Sequence, residues 1–231
     1  MTADIEWRRE LPHPTAVRDR RQLLIELARG RRVVHLGCAD ALLLESRVGT
    51  DEILHEQIAG VAASVVGVDL SNALDRLAEL VPGVYLRGDV EALDDLDLPD
   101  DTEVVLAPEL IEHVSNPGRF LQTLRAYLSR TGATAVITTP NAYSWSHVVR
   151  YAARGAEWVH PDHQLLYSVT TLQASLDRAG LQADRWWAHR WDRGGGARDR
   201  ALDAVDRVVL RRRPWLAPGL VVAVRPSGTS G

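Results

Sequence analysis

Short β-branched apolar runs alternating with helical patterns restrict this chain more than any other feature. The runs are Arg32–Leu36, Ser64–Val68, Val84–Arg87, Glu103–Leu106 and Ala133–Thr138. Each is bounded by Gly, Pro, Asp or Asn, as strands buried on both faces of a parallel sheet should be. Between them lie helical patterns, clearest at Pro117–Leu128 and Thr170–Ala179. A strand that returns parallel to its predecessor needs such a crossover, so the rhythm argues for a doubly wound α/β sheet covered on both faces. The ending differs: Leu181–Trp191 and Leu220–Arg225 read as two closing strands, joined by Gly194-Gly195-Gly196 and a helix over roughly Ala197–Arg213. That makes seven expected strands. Before the first run, Leu23, Leu24 and Leu27 share one helical face and Gly30 ends it, so residues 1–30 are expected as an N-terminal helical segment. The whole of 1–231 reads as one domain, with a cap insertion at about 142–168.

Composition removes several alternatives. All 27 basic residues are arginine. Without lysine there is no Schiff-base chemistry, no phosphate-loop lysine and no tyrosine–lysine pair of the short-chain reductase type. Against 31 acidic residues the net charge is −4, which provides no footprint for broad nucleic-acid binding. The lone cysteine, Cys38, excludes an intramolecular disulfide framework and suits a reducing compartment. No stretch approaches the apolar length of a membrane span, and the opening MTADIEWRRELPHP carries charges where a signal peptide needs its apolar run. A cytoplasmic protein with no membrane and no nucleic-acid partner is expected.

In an open α/β sheet, ligands bind beyond the carboxyl ends of the strands, so the residues after each run matter most. These are His35-Leu36-Gly37-Cys38-Ala39-Asp40, then Gly67-Val68-Asp69-Leu70-Ser71, then Arg87-Gly88-Asp89-Val90-Glu91. After the fourth run comes Ala107-Pro108-Glu109-Leu110-Ile111-Glu112-His113-Val114, and after the fifth Thr139-Pro140-Asn141-Ala142. Across roughly residues 31–180 this ordered set resembles the class I S-adenosylmethionine-dependent methyltransferases. The likeness is to the branch of the ubiquinone-biosynthesis O-methyltransferases and of methyltransferases from glycan and natural-product clusters. The resemblance implies a Rossmann-like, mostly parallel seven-stranded sheet with one antiparallel edge strand, and S-adenosyl-L-methionine as cofactor. It implies that Gly37, with Cys38, lets the backbone approach the methionine part. Asp69, followed by Leu70, would accept hydrogen bonds from both ribose hydroxyls. Asp89 would face the adenine amino group with Val90 near the ring, and Pro108 and Glu109 would border the cofactor. A carboxylate can take two donors at once, which suits the ribose role; an Asp opening a helix is equally a capping residue. The chain departs from the family in its first loop, where Cys38, Ala39 and Asp40 stand in place of further glycines. The interval from Gly37 to Asp69 is also long.

Transfer from a sulfonium is an in-line displacement, so the protein must align the acceptor and take its proton. Histidine is the usual base for a hydroxyl. His163, in His160-Pro161-Asp162-His163, is the first candidate and His113 the second. A histidine that merely shapes the loop is the competing reading. Glu109, Glu112 and His113, with His160 or His163, could instead hold a divalent metal, against which stands a salt-bridged loop; no metal site is assigned from spacing alone. Tyr143, Trp145, Tyr151, Trp158 and Tyr167 either wall an acceptor pocket or anchor the cap, while Trp186, Trp187 and Trp191 read as packing. The expected reaction is O-methylation of a small metabolite or glycan precursor by direct displacement. A catalytically inactive S-adenosylmethionine-binding partner protein and a nicotinamide-dependent oxidoreductase are the alternatives. Asp69 could equally hold an NAD ribose, although no G-x-G-x-x-G loop precedes it.

Overall fold

The structure, a computed structural model, describes residues 10–41, 43–50, 52–157, 159–190 and 196–228. Trp158, Trp191, Gly194 and Gly195 lie outside the described residues, as do positions 1–9. In chain order the elements are β1 (Thr15–Val17), α1 (Arg20–Ala28), β2 (Arg32–Leu36), α2 (Leu44–Arg47), α3 (Leu54–Ala59), β3 (Ser64–Asp69), α4 (Ala73–Leu80) and β4 (Val84–Arg87). A 3-10 turn over Val90–Asp95 precedes β5 (Val104–Pro108), α5 (Pro117–Thr131), β6 (Thr134–Pro140), α6 (Trp145–Arg154), α7 (Val169–Arg178) and β7 (Leu181–His189). The chain closes with α8 (Ala197–Arg212), a 3-10 turn at Pro214–Leu216 and β8 (Gly219–Pro226).

The strands form one sheet in the order β1-β7-β8-β6-β5-β2-β3-β4. It is the Rossmann-like, doubly wound, mostly parallel sheet expected, with two refinements. The antiparallel strand, β8, lies between β6 and β7 rather than at the rim. Six consecutive buried residues, Gly219–Val224, suit it to that interior place. An eighth strand comes from the segment expected to be helical: Thr15–Val17 pairs in parallel with Trp187–His189 at the sheet edge before α1 begins. Three residues are too few for a periodicity to announce them.

Side-chain alternation explains why both faces are covered. Val34, Leu36, Val105, Ala107, Ala135 and Ile137 point into one apolar layer, where α5 supplies Phe120, Leu121 and Leu124. Val33, Val104, Leu106 and Val136 point into the other, against Leu24 and Ala28 of α1 and Ile58 of α3. Trp186 and Trp187 divide in the same way, one to each layer, and serve as packing. α5 begins because the Asn116 side chain accepts the Arg119 N–H and Pro117 needs no partner at the first helical position. Gly132, at φ +73°, ends it.

The long interval between Gly37 and Asp69 holds α2 and α3. The latter helix leans on β3 at Gly67, where a Cβ would sit 2.8 Å from the Cys38 Sγ, 2.8 Å from Tyr85 Cδ1 and 3.0 Å from His55 Cε1. Gly67→Ala is therefore expected to cost about 1–3 kcal/mol by overpacking, read as a lower midpoint of denaturant unfolding with an unchanged slope.

Candidate active site

The carboxyl ends of β2, β3, β5 and β6 converge on one side of the sheet, as their parallel registers require. Gly37 follows β2 at φ +68°, a conformation costly for a side-chain-bearing residue, and a Cβ there would approach Leu110 Cδ1 at 3.1 Å. Its N–H donates to the Val68 carbonyl at 2.8 Å. Ala39 is fully buried and donates its N–H to Asp69 Oδ2 at 2.9 Å, while Ser71 donates to Asp69 Oδ1 at 2.8 Å. One carboxylate thus ties the loops after β2 and β3 together, with further acceptor positions on both oxygens. Where the usual loop carries another glycine, Asp40 takes φ +42°, and its side chain is held by Arg47.

Cys38 is buried against β3, and burial with the nearby Asp69 charge pushes its thiol pKa far up, so the side chain is an inert neutral packing group. Leu70 is 63% exposed immediately beside Asp69, an apolar surface open to a ring or ribose. Asp89 is exposed, and its Oδ1 caps the following turn by accepting the Glu91 N–H at 2.8 Å; Val90 is buried in the core. A left-handed glycine, a two-loop carboxylate and an exposed leucine fit a nucleoside-bearing cofactor laid across the strand ends.

Behind the first loop is a pair that sequence reasoning missed. His35 Nδ1 and His55 Nδ1 lie 3.1 Å apart with the rings stacked, both buried. Burial, and for His35 also the His55 ring, lowers both pKa values, His55 to about 4, so the pair is neutral and shares one proton between the facing nitrogens. Position 35 alternates with Val34 and Leu36, which turns it toward α3; only the packing of α3 reveals its partner.

The segment after β5 carries the second half of the site. Glu109 adopts φ +46°, and its Oε1 meets Arg20 Nη1 at 2.6 Å and the Thr138 hydroxyl at 2.7 Å. Burial alone would raise this carboxyl, but Arg20, His189 and Thr138 outweigh it and hold it below the usual value. Glu112 is buried, and both its oxygens lack a partner of good hydrogen-bond geometry. Burial and the Glu109 charge raise its pKa to about 8. The metal set Glu109, Glu112 and His113 is not brought together: among the described residues the converging group is His113, His160 and His163. The carboxylates are drawn away, Glu109 by the guanidinium from α1.

His113 and His163, the two proposed bases, are neighbours, with ring centroids 4.6 Å apart. Burial first, then adjacent imidazoles, lowers both pKa values. His163 arrives on an excursion that leaves β6 at Asn141 and returns at Tyr167, which pair in a parallel bridge. Its described aromatic residues do not share one pocket. Trp145 donates to Asp206 of α8, Tyr167 is buried, and Tyr143 and Tyr151 are exposed. A groove of 370 Å³ beside Leu165 and Tyr167 runs between α5 and α7, away from the strand-end acids.

The methyltransferase-domain family model matches residues 7–185. This chain belongs to that family. That is the family of the class I S-adenosylmethionine-dependent methyltransferases, and the nicotinamide alternative falls away. The chain is similar to the ubiquinone biosynthesis O-methyltransferase of Bradyrhizobium sp. (strain ORS 278), 29% identical over 180 residues, covering 68% of this chain and 65% of that protein. Among solved structures it is similar to a candidate methyltransferase from Bacillus halodurans C-125, with TM-score 0.57 and 13% identity over 90% of this chain and 99% of that one. Small RNA methyltransferase HEN1 shares the fold at TM-score 0.56 and 15% identity, over 92% of this chain and 25% of that one. No helix among the described residues is long and apolar enough to cross a membrane.

Glu112 binds its proton more tightly folded than unfolded. Its contribution to stability is therefore fully present below its ordinary value of 4.5 and is lost as pH rises through about 8. Glu112→Gln should melt several degrees above the parent methyltransferase at pH 9 and show little gain at pH 5, each kcal/mol being worth about 2–4 °C in a chain of this size. A gain independent of pH would contradict the burial argument.

Proposed function

We propose that this methyltransferase acts on a hydroxyl of a small metabolite or glycan precursor in the cytoplasm, with the His113–His163 pair on the acceptor side. The observation that carries the reading is the meeting of these two imidazoles, His113 on the loop after β5 and His163 on the excursion between β6 and α7, at the carboxyl end of the sheet. The O-methyltransferase relatives support oxygen as the target, and the single buried cysteine supports a reducing compartment. The likeness to HEN1 concerns the fold alone, and a net charge of −4 speaks against a broad nucleic-acid surface.

Bound at the strand ends, S-adenosylmethionine supplies an electrophilic methyl group on a sulfonium. Gly37 and Ala39 would allow close backbone approach, and Asp69 would accept the ribose hydroxyls on the lone pairs that the Ala39 and Ser71 amides leave. Leu70 would lie against the nucleoside, and Asp89 would border the adenine with Val90 packed behind it. His163, with His113 beside it, would take the proton of the acceptor hydroxyl, whose oxygen would displace the sulfide as it bonds to the methyl carbon. Their lowered pKa values keep both imidazoles unprotonated below the ordinary 6.5, so turnover should hold to more acid pH than an exposed histidine would permit.

Isothermal titration should show Asp69→Ala weakening S-adenosylmethionine and S-adenosylhomocysteine binding by about tenfold or more. His163→Ala should leave that binding intact and slow turnover by about 10²–10⁴-fold. Full turnover by the doubly substituted His113→Ala, His163→Ala protein on its acceptor would remove the histidines from the reaction.

A further inference from the structure

The segment that separates Gly37 from Asp69 has little local structure of its own to hold it. α2 has four residues and α3 six, and neither begins with a side-chain cap. Helices so short are unstable unless tertiary contacts fix them. From Asp40 to Gly60 the backbone hydrogen bonds among the described residues run within the segment itself. Polar ties from outside include the exposed Arg76–Glu45 ion pair, the bond from Arg21 to the Gln57 side chain at 3.0 Å, and the buried contact between His35 and His55. Of these three, the histidine contact is the one that reaches the strand ending before Gly37.

His35 stands two residues before Gly37, in register with Gly67 of β3 and Leu106 of β5. Its Nδ1 meets His55 Nδ1 at 3.1 Å, with the rings 16° from parallel. Two nitrogens at that distance need one proton between them: none leaves two lone pairs opposed, and two bring N–H groups together. On its far side His55 Cε1 packs with Cys38 Sγ and Tyr85 Cδ1 around the place a Gly67 Cβ would occupy. The His55 and Tyr85 rings lie 5.2 Å apart. A shift of α3 therefore reaches Cys38, whose neighbours Gly37 and Ala39 form the turn. Cys38 and Tyr85 are the titratable groups facing the pair, and burial keeps both neutral, so no ion pair competes with the shared proton.

We propose that His35 and His55 are positioning residues for the cofactor turn. Their shared-proton contact fixes α3 against β2 and so holds Gly37–Ala39 where the backbone can approach the methionine part of S-adenosylmethionine. Both rings are only 1% exposed, so they act through Cys38 and Gly67 rather than on the ligand. An apolar side chain in place of one ring orphans the buried nitrogen of the other. Asparagine sets an amide group where imidazole has Nδ1, and so preserves the link. The inference rests on the cofactor-side role given to Gly37 above.

Calorimetric titration with S-adenosylhomocysteine and with methylthioadenosine, which lacks the amino-acid part, separates a positioning role from a general loss of stability. His55→Leu should weaken S-adenosylhomocysteine by about tenfold and methylthioadenosine by less than about twofold, with His55→Asn within about threefold of the parent for both. Equal losses for the two ligands overturn the proposal, as does an asparagine variant as weak as the leucine one. If Asp69→Ala weakens binding while a folded His55→Leu does not, the positioning role alone falls. If neither substitution matters, the cofactor reading falls with it. Should His55→Leu fail to fold, nitrogen NMR of the parent histidines decides: the two Nδ1 signals should shift when S-adenosylhomocysteine is added, and unmoved signals overturn the proposal.

Discussion

The Asp69 carboxylate accepts one backbone N–H from the loop after β2 and one from the loop after β3. Two buried or half-buried amides are satisfied by one side chain, at a point where neither loop could find a strand partner. Remove that carboxylate and Ala39 loses the bond that ties the loop after β2 to β3. Gly67 supports it from behind, because the missing Cβ is what lets Cys38, His55 and Tyr85 pack beneath the loop.

The segment after β5 depends on a second electrostatic decision. Glu109 and Glu112 stand one helical turn apart in sequence, yet their environments separate them. Arg20 and Thr138 keep the first ionised, and burial near that charge protonates the second up to about pH 8. Such a divergence is how neighbouring carboxyls acquire different roles. Here it also removes both from the histidines. Glu109 of the expected metal set is therefore a link to α1, while among the described residues three imidazoles remain together. The left-handed backbone of Glu109 is the local strain that this link supports.

Much of this was legible in the residues themselves. The β-branched runs were read to within about two residues of the observed strands, because buried parallel strands must be short, apolar and bounded by turn residues. Gly37 and Asp69 were visible for a similar reason: each carboxyl strand end must turn sharply, and an acid placed there faces whatever the loops enclose. The three residues of β1 were not visible, since they become a strand only by pairing with β7. Nor was the His35–His55 pair, whose members are twenty positions apart and meet through α3.

The sequence by itself determined the class of sheet, the order of its helices and the row of candidate groups along one edge, because periodicity and turn chemistry act over a few residues. Tertiary structure alone decided which of those groups stand together. His113, His160 and His163 converge because the Gln164 amide bonds to the Glu112 carbonyl, and Glu109 is withdrawn because α1 presents Arg20 to it. Charge and coordination act through space over a few ångströms, and separation along the chain carries no record of them until the fold has closed.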